Sequence, residues 1–286
     1  MTRYLKPTCL AAALDLRAQY PQHRVLAGGT DLMVDASGLR ALPGVIDVFG
    51  LTEMVGISAT DGPIRVGAAT TYLELLASPL AGRELALLAA AAREIGALQI
   101  QARGTLGGNV ATSSPVGDTL PVLLALGAEI ELASQKRRRH VSYDEFCVGY
   151  RRTVIEPDEL IVAIHVARPA SDTRWLWRKV GARRAQAISK VMIAATARLD
   201  DAGRIAETRI ALGAVADRPL RALRTERVLL GQLPGESVAR AAANELATEI
   251  TPIDDVRSTA SYRRTVAQNL IARWVCELAP VVRTTH

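Results

Sequence analysis

The sequence contains few residues of the kinds that build metal centres. An iron–sulfur cluster or a structural zinc ion takes four clustered ligands, whereas the cysteines and histidines here are scattered, with no C-x-x-C or H-E-x-x-H spacing. The cysteines are Cys9, Cys147 and Cys276, and the histidines are His23, His140, His165 and His286. The pattern predicts no metal site and three reduced, mostly buried cysteines.

Aromatic residues are also scarce, at 4% of the chain. A surface that stacks single-stranded bases needs more of them, so the net charge of +6 and the pI near 9.5 do not indicate nucleic-acid binding. The basic residues are spread out except in one dense run, 136–140 (KRRRH). A solvated hairpin or strand edge is the favoured interpretation of this run; a docking patch for an acidic partner and a nucleic-acid site stay open.

Long apolar runs are missing as well. No run approaches the ~18 residues that cross a bilayer. The short apolar patch from Cys9 to Leu14 is closed by Asp15 and Arg17 too soon for a signal-peptide core. We therefore expect a cytoplasmic protein, and the 286 residues are enough for two domains.

The familiar phosphate-binding motifs are absent, but two glycine doublets are present. Neither doublet continues into the Gly-Lys-Ser/Thr of a P-loop, and G-x-G-x-x-G does not occur. The doublets lie in 27–31 (AGGTD) and 105–109 (TLGGN). A glycine doublet lets successive backbone N–H groups approach an anion such as a pyrophosphate. One doublet more often marks a turn, but two indicate a dinucleotide held from two sides.

Local patterns predict a first, mixed α and β region and a second region with antiparallel strands followed by helices. Thr8 is the expected N-cap of the first helix, Thr71 with Glu74 and Ser142 with Glu145 form capping boxes, and an alanine-rich helix covers 83–95. The loop-rich stretch 168–172 is the expected boundary. After it, 175–180, 190–199 and 204–215 predict three strands, and 236–250 and 258–278 predict helices, which together make an α+β domain.

Four stretches give the chain a close resemblance to the FAD-binding medium subunits of molybdenum hydroxylases, which include bacterial carbon monoxide dehydrogenase and the flavin domain of xanthine dehydrogenase. The stretches occur in the expected order over nearly the whole chain. They are 27–32 (AGGTDL), 104–121 (GTLGGNVATSSPVGDTLP), 179–191 (KVGARRAQAISKV) and 254–267 (DDVRSTASYRRTVA). The second stretch is highly specific.

The resemblance implies an α+β fold of the vanillyl-alcohol-oxidase (PCMH) type over residues 1–170. Two α+β subdomains clasp an extended FAD, and a small C-terminal domain over 171–286, with a three-stranded antiparallel sheet and helices, covers the flavin. Matched positions imply that the first loop holds the pyrophosphate through its amides: Val25, Leu26, Ala27, Gly28, Gly29, Thr30, Asp31 and Leu32. The implied second wall is Thr105, Gly108, Asn109, Ala111, Ser114 and Asp118. Ile95 and Gly96 would line the cavity, and Ile161 and Lys179 would lie near the flavin ring.

Simpler roles remain for several of these residues. Thr30 and Asp31 are also typical helix caps, Asn109 and Asp118 typical loop residues, Ile161 a typical core residue, and Lys179 a typical solvated strand residue. The Asp254–Asp255 pair invites an acid–base interpretation, but its position at a helix start favours N-capping or salt bridging.

The resemblance further implies an electron-transfer subunit that is incomplete on its own. A small [2Fe-2S] subunit and a large molybdopterin subunit would be its partners, in a dimer of heterotrimers, and non-covalent FAD would pass electrons to an external acceptor. Some relatives hold an extra [4Fe-4S] cluster after the second loop, but 109–121 has no cysteine here, so flavin is the one redox group expected. Two other hypotheses stay open: a stand-alone flavin oxidoreductase of the same fold, and a non-catalytic protein that retains the fold.

Overall fold

The structure is a computed structural model that describes residues 2–34, 38, 41–59, 61–183 and 186–279. The chain divides into two compact units. The first comprises Met1–Ser114 and Gly127–Arg168, and the second comprises Pro115–Leu126 and Pro169–His286. The short segment Pro115–Leu126 therefore belongs by its contacts to the second unit, although it lies within the first in sequence.

The elements alternate between short strands and short helices in the first unit and are longer in the second. The strands are β1 Arg3–Leu5, β2 Arg24–Leu26, β3 Gly44–Asp47, β4 Ile57–Ala59, β5 Ile64–Gly67, β6 Glu129–Ala133, β7 Arg138–Ser142, β8 Cys147–Gly149, β9 Arg152–Thr153, β10 Leu160–Val166, β11 Arg174–Val180, β12 Val191–Leu199, β13 Ile205–Gly213 and β14 Leu220–Arg221. The α-helices are α1 Leu10–Gln19, α2 Tyr72–Ala77, α3 Ala86–Ala92, α4 Leu98–Gln101, α5 Leu106–Thr112, α6 Leu120–Ala125, α7 Tyr143–Phe146, α8 Leu223–Leu229, α9 Glu236–Glu249 and α10 Ala260–Leu278. Short 3-10 helices cover Leu32–Val34, Thr52–Met54 and Pro79–Gly82.

The first unit contains a small parallel sheet in the order β1-β3-β2. Parallel strands end at the same edge of a sheet. The loop with the first glycine doublet follows β2, and Phe49 follows β3, so both lie at this edge. The parallel sheet thus fixes the place where the first glycine loop begins.

A five-stranded antiparallel sheet, in the order β4-β5-β10-β6-β7, forms the rest of the first unit's framework. Its central strand β10 is buried along almost its whole length, which suits its apolar sequence LIVAIHV. The edge strand β7 carries the end of the basic run, as the favoured interpretation of that run predicts.

The second unit contains a four-stranded antiparallel sheet, β11-β12-β13-β14, packed against long helices. The central strands β12 and β13 contribute Ile193 and Ile210, and the helices α9 and α10 contribute Leu246, Ile271 and Trp274, to one apolar core. The α+β class predicted for the chain is confirmed. The sheet differs from the expected three strands by the two-residue strand β14, which is too short to leave a periodic signal.

Three local predictions were wrong. The first helix begins at Leu10 and its N-cap is Cys9, which has no side-chain capping bond, so Thr8 does not cap it. The alanine-rich helix covers only Ala86–Ala92. Ser142 does cap α7, but its hydroxyl accepts from the N–H of Asp144, and the helix ends after four residues. The Thr71–Glu74 capping box is confirmed in full.

None of the helices in the described part of the chain is long and apolar enough to span a membrane.

Candidate functional site

The first glycine loop presents a row of backbone donors. Among the described residues, no acceptor pairs with the backbone N–H of Gly28, Gly29, Thr30 or Asp31. Gly29 has a φ of +78°, in the left-handed region that favours glycine. The loop is half-buried, and unpaired N–H groups away from water are costly. Successive N–H groups around a left-handed residue form an anion-binding concavity.

Gly28 brings the two glycine loops together within the first unit. A Cβ atom on Gly28 would lie 1.7 Å from the carbonyl oxygen of Arg103 and 3.1 Å from the backbone nitrogen of Gly104. Only glycine permits this approach of one backbone to another. The sequence indicated two loops around one ligand, and the structure shows that their backbones are in contact.

The second glycine loop is fixed to residues 68–72 by backbone hydrogen bonds. The N–H of Leu106 donates to Thr70, that of Gly107 to Ala68, and that of Tyr72 to the carbonyl of Gly104. A Cβ on Gly107 would lie 2.5 Å from the Cβ of Ala68. Gly107 is therefore required for packing, and its N–H is not available to a ligand.

Gly108 differs from its neighbour because it has open space beside it. A Cβ there would meet only the Thr105 hydroxyl, at 2.9 Å. That hydroxyl caps α5 by accepting from the N–H of Gly108 at 3.0 Å, and Asn109 donates its N–H to the Thr105 carbonyl. The donors of this helix start are used within the protein, so Thr105 has a structural role. These bonds do not fill the space beside Gly108.

Asp31 directly precedes the 3-10 helix Leu32–Val34, and its carbonyl accepts from the N–H of Val34 at 3.1 Å. The Asp31 carboxylate accepts from the Thr112 hydroxyl at 3.4 Å and lies 3.8 Å from the Arg151 guanidinium. These contacts join the first loop to the end of α5. The segment that Thr30 and Asp31 would cap continues into 35–37 and 39–40, outside the described residues, so the capping alternative stays open.

The other predicted positions of the first unit have varied surroundings. Ala111 lies within α5 and is exposed, and Ser114 follows α5 and is half-buried. Gly96 has a φ of +52° and faces Ile100, and the Ile95 carbonyl accepts from the Gln101 side chain. Val25 is exposed. Ile161 is buried in β10 beside a β-bulge. The half-buried positions are Leu26, Ala27, Leu32 and Asn109.

In the second unit the structure brings together Asp118 and Lys179. The Lys179 ammonium donates to Asp118 Oδ2 at 2.6 Å, and its side chain is only 5% exposed. The solvated alternative for Lys179 is therefore wrong. Sequence reasoning missed a third member, Ser189, whose hydroxyl donates to Asp118 Oδ1 at 2.9 Å. Ser189 lies within the matched stretch 179–191, but nothing in its spacing indicates the contact.

Burial raises the pKa of Asp118, while the charge of Lys179 and the hydrogen bonds from Lys179 and Ser189 oppose that rise. A buried carboxylate needs such partners to stay ionised. Asp118 thus depends on both donors for its charge.

The Asp254–Asp255 pair performs the predicted capping and salt-bridging roles. Asp254 accepts from the N–H of Ala260 at the start of α10, and Asp255 accepts from the N–H groups of Arg257 and Ser258. Asp255 also binds the buried guanidinium of Arg263 at 2.8 Å. The acid–base interpretation of this pair gains no support.

Two histidines that are far apart in sequence meet on the five-stranded sheet. The rings of His140 and His165 lie 4.7 Å apart beside Glu131, and in the part of the chain that the structure describes this is the one group with metal-ligand composition. Glu131 already binds Arg138 at 2.8 Å and His165 at 2.9 Å. Burial opposes its ionisation, but His165 and the charges of Arg65 and Arg138 hold the pKa of Glu131 below its usual range. The group is therefore interpreted as a charge network.

The chain matches two sequence families. Residues 1–169 match the FAD binding domain in molybdopterin dehydrogenase, and residues 177–278 match the CO dehydrogenase flavoprotein C-terminal domain. A putative xanthine dehydrogenase FAD-binding subunit of Escherichia coli K12 is 30% identical over 96% of this chain and 94% of its own length. The nicotine 6-hydroxylase medium subunit of Paenarthrobacter nicotinovorans is 30% identical over 96% of both chains.

Solved structures show the same likeness. A chain of carbon monoxide dehydrogenase from Hydrogenophaga pseudoflava superposes with a TM-score of 0.90 and 31% identity, covering 95% of both chains. Quinoline 2-oxidoreductase from Pseudomonas putida 86 gives a TM-score of 0.89 at 27% identity, covering 97% of this chain and 96% of that chain.

The two matched families define a flavoprotein with a FAD-binding domain and a C-terminal domain. The chain belongs to the FAD-binding medium subunits of the molybdenum hydroxylase family. The resemblance stated from the sequence is confirmed, and the chain is an FAD-dependent oxidoreductase subunit of the xanthine and carbon monoxide dehydrogenase type.

Proposed function

We propose that this chain binds FAD non-covalently through the diphosphate and serves as the electron-transfer subunit of a larger hydroxylase. The observation that carries the proposal is that the N–H groups of Gly28, Gly29, Thr30 and Asp31 have no acceptor in the part of the chain that the structure describes. Successive backbone N–H groups of this kind suit the oxygens of a diphosphate. Gly29 supplies the left-handed turn, and the Thr30 hydroxyl adds a further donor.

Residues of the second loop form the other wall of the diphosphate site. The open side of Gly108 leaves room for the ligand, and Asn109 contributes an amide side chain. This second wall also contains Ala111, Ser114 and Asp118, and Thr105 positions its loop. The wall formed by the first loop also contains Val25, Leu26, Ala27 and Leu32. Ile95 and Gly96 line the cavity, and Ile161 and Lys179 lie near the flavin ring.

The division at residue 170 into an FAD-binding domain, 1–170, and a C-terminal domain, 171–286, is part of the proposal. In such a chain the protein positions and tunes the cofactor, and the cofactor carries the chemistry. When bound, FAD supplies the step from one-electron donors to a two-electron acceptor.

Partners follow from the family. We expect a small [2Fe-2S] subunit and a large molybdopterin subunit, in a dimer of heterotrimers, in the cytoplasm. The molybdopterin subunit would oxidise the substrate, and electrons would reach this chain through the iron–sulfur subunit.

The experiment is reduction of the flavin in the isolated chain and in the reassembled complex. The isolated, FAD-loaded chain should show a flavin spectrum but no bleaching with small aldehydes, purines or aromatic thioesters. Adding the two partner subunits should restore bleaching by the substrate of the complex. Turnover by the lone chain at about 1 per second or more would instead establish a stand-alone oxidoreductase.

A further inference from the structure

Ser189 is buried, and among the described residues its hydroxyl has one hydrogen-bond partner, a carboxylate of the predicted site. The residue is 1% exposed, and its Oγ donates to Asp118 Oδ1 at 2.9 Å. The second oxygen, Oδ2, accepts from the Lys179 ammonium at 2.6 Å. Each oxygen of the carboxylate therefore has its own donor, and the two donors come from different elements.

The three residues lie where two strands and a helix begin or end. Lys179 is near the end of β11, Ser189 precedes β12, and Asp118 precedes α6. The backbone between the strands is closed by the N–H of Lys190, which donates to the carbonyl of Val180 at 2.7 Å. Asp118 thus ties the end of β11 to the start of β12.

Without the Ser189 hydroxyl, Asp118 Oδ1 would lose its hydrogen-bond donor in a site that is largely shielded from water. An unpaired buried carboxylate oxygen carries the full cost of its desolvation. The Asp118 carboxylate would rotate or take up a proton. Either change would weaken its ion pair with the Lys179 ammonium.

We propose that Ser189 is a positioning residue for the flavin: by holding Asp118 in place it fixes the Lys179 ammonium. This inference rests on the proposed function, in which Asp118 and Lys179 contact FAD. It adds a residue that has no contact with the cofactor in that proposal and acts only through Asp118.

The test compares Ser189→Ala with Thr208→Val in the full-length chain. Thr208 is a matched control, because its buried hydroxyl makes a 2.9 Å bond to the carbonyl of Thr196 in the same unit and touches neither Asp118 nor Lys179. Ser189→Ala should raise the Kd for FAD about tenfold. It should also move the two-electron midpoint potential towards that of Asp118→Asn. Thr208→Val should change neither quantity.

A double-mutant cycle separates positioning from a general loss of structure. If Ser189 acts through Asp118, Ser189→Ala should produce no further change in potential in the Asp118→Asn background. An unchanged Kd and potential in Ser189→Ala, or a full additive shift in the double variant, would overturn the inference. Failure of the wild-type chain to bind FAD would count against the proposed function instead, so the two failures are distinguishable.

Discussion

At the residue scale, the four glycines of the two doublets have three different roles. Gly28 and Gly107 permit close packing of backbone against backbone or against Ala68. Gly29 adopts a left-handed conformation. Gly108 has none of these constraints, which agrees with the proposal that the space beside it holds the ligand.

Gly28→Ala should disturb both the fold and FAD binding. Its Cβ would overlap the carbonyl of Arg103, and backbone displacement of this kind costs about 1 to 3 kcal/mol in the free energy of unfolding. Urea denaturation and FAD titration measure the two effects. Gly62→Ala is the matched control, since a Cβ there meets nothing within 4 Å. Equal stability and equal FAD affinity of the two variants would contradict the contact between the loops.

Gly108→Val should abolish FAD retention and leave the fold largely intact. The reason is steric exclusion of the ligand, because φ at Gly108 is not in the left-handed region, and among the described residues a Cβ at this position contacts only the movable Thr105 hydroxyl. Flavin content after gel filtration, together with circular dichroism, tests this. Normal flavin content would remove Gly108 from the site.

The sequence predicts that both doublets are ligand loops, which stays a prediction, but it did not indicate the packing role of each glycine. Those roles depend on Arg103 and Ala68, which reach the loops only in the folded chain. Ser189 was missed for the same reason, since its partner Asp118 lies 71 residues away. Lys179 was ambiguous until its burial was seen.

At the element scale, the basic run is part of a salt-bridged strand edge. Arg137 and Arg139 both bind Glu159, whose side chain is 1% exposed, and Arg138 binds Glu131. The hydrogen bond from Arg139 is the main cause that lowers the pKa of Glu159. The bonds to Glu159 hold the run to the turn before β10, and the bond to Glu131 holds β7 to β6, which favours a structural role for the run.

Glu159→Gln should destabilise the first unit by about 2 kcal/mol at pH 7, because Arg139 loses a charged acceptor. The folded pKa of Glu159 lies below its unfolded value, so this stabilisation is present above the unfolded pKa and is lost as pH falls through the folded pKa. The difference between wild type and variant should therefore shrink below about pH 4. Denaturation at several pH values measures it.

The control for that experiment is Glu156→Gln. Glu156 also binds Arg137 but is 54% exposed, so the change should cost less than about 1 kcal/mol. A pH-independent effect of Glu159→Gln, or an equal effect of both variants, would show that the charge of Glu159 does not stabilise the sheet.

Elements with a strong local signal were predictable, and those set by packing were not. The Thr71–Glu74 box follows from its capping sequence, and the long strands β12 and β13 follow from apolar runs joined by the turn at 201–203. The alanine-rich helix is shorter than predicted because propensity alone does not fix where a helix ends.

At the scale of the whole molecule, each compact unit contains its own part of the predicted site. The glycine loops contact each other in the first unit, and Asp118, Lys179 and Ser189 meet in the second. Asp118 lies within 115–126, a segment of the second unit that separates the two sequence stretches of the first unit. The residues next to Asp118 in the sequence therefore do not indicate its contact with Lys179.

The proposal that this chain holds FAD by its diphosphate is tested most directly by titration of the flavin-free chain with FAD and, for comparison, with riboflavin. We expect one FAD per chain, released intact on denaturation. The Kd for riboflavin should be at least about 100-fold higher, because riboflavin lacks the diphosphate that would accept charge-assisted bonds from the amides of Gly28–Asp31. Equal affinity for riboflavin and FAD, or no FAD binding by a correctly folded chain, would contradict it.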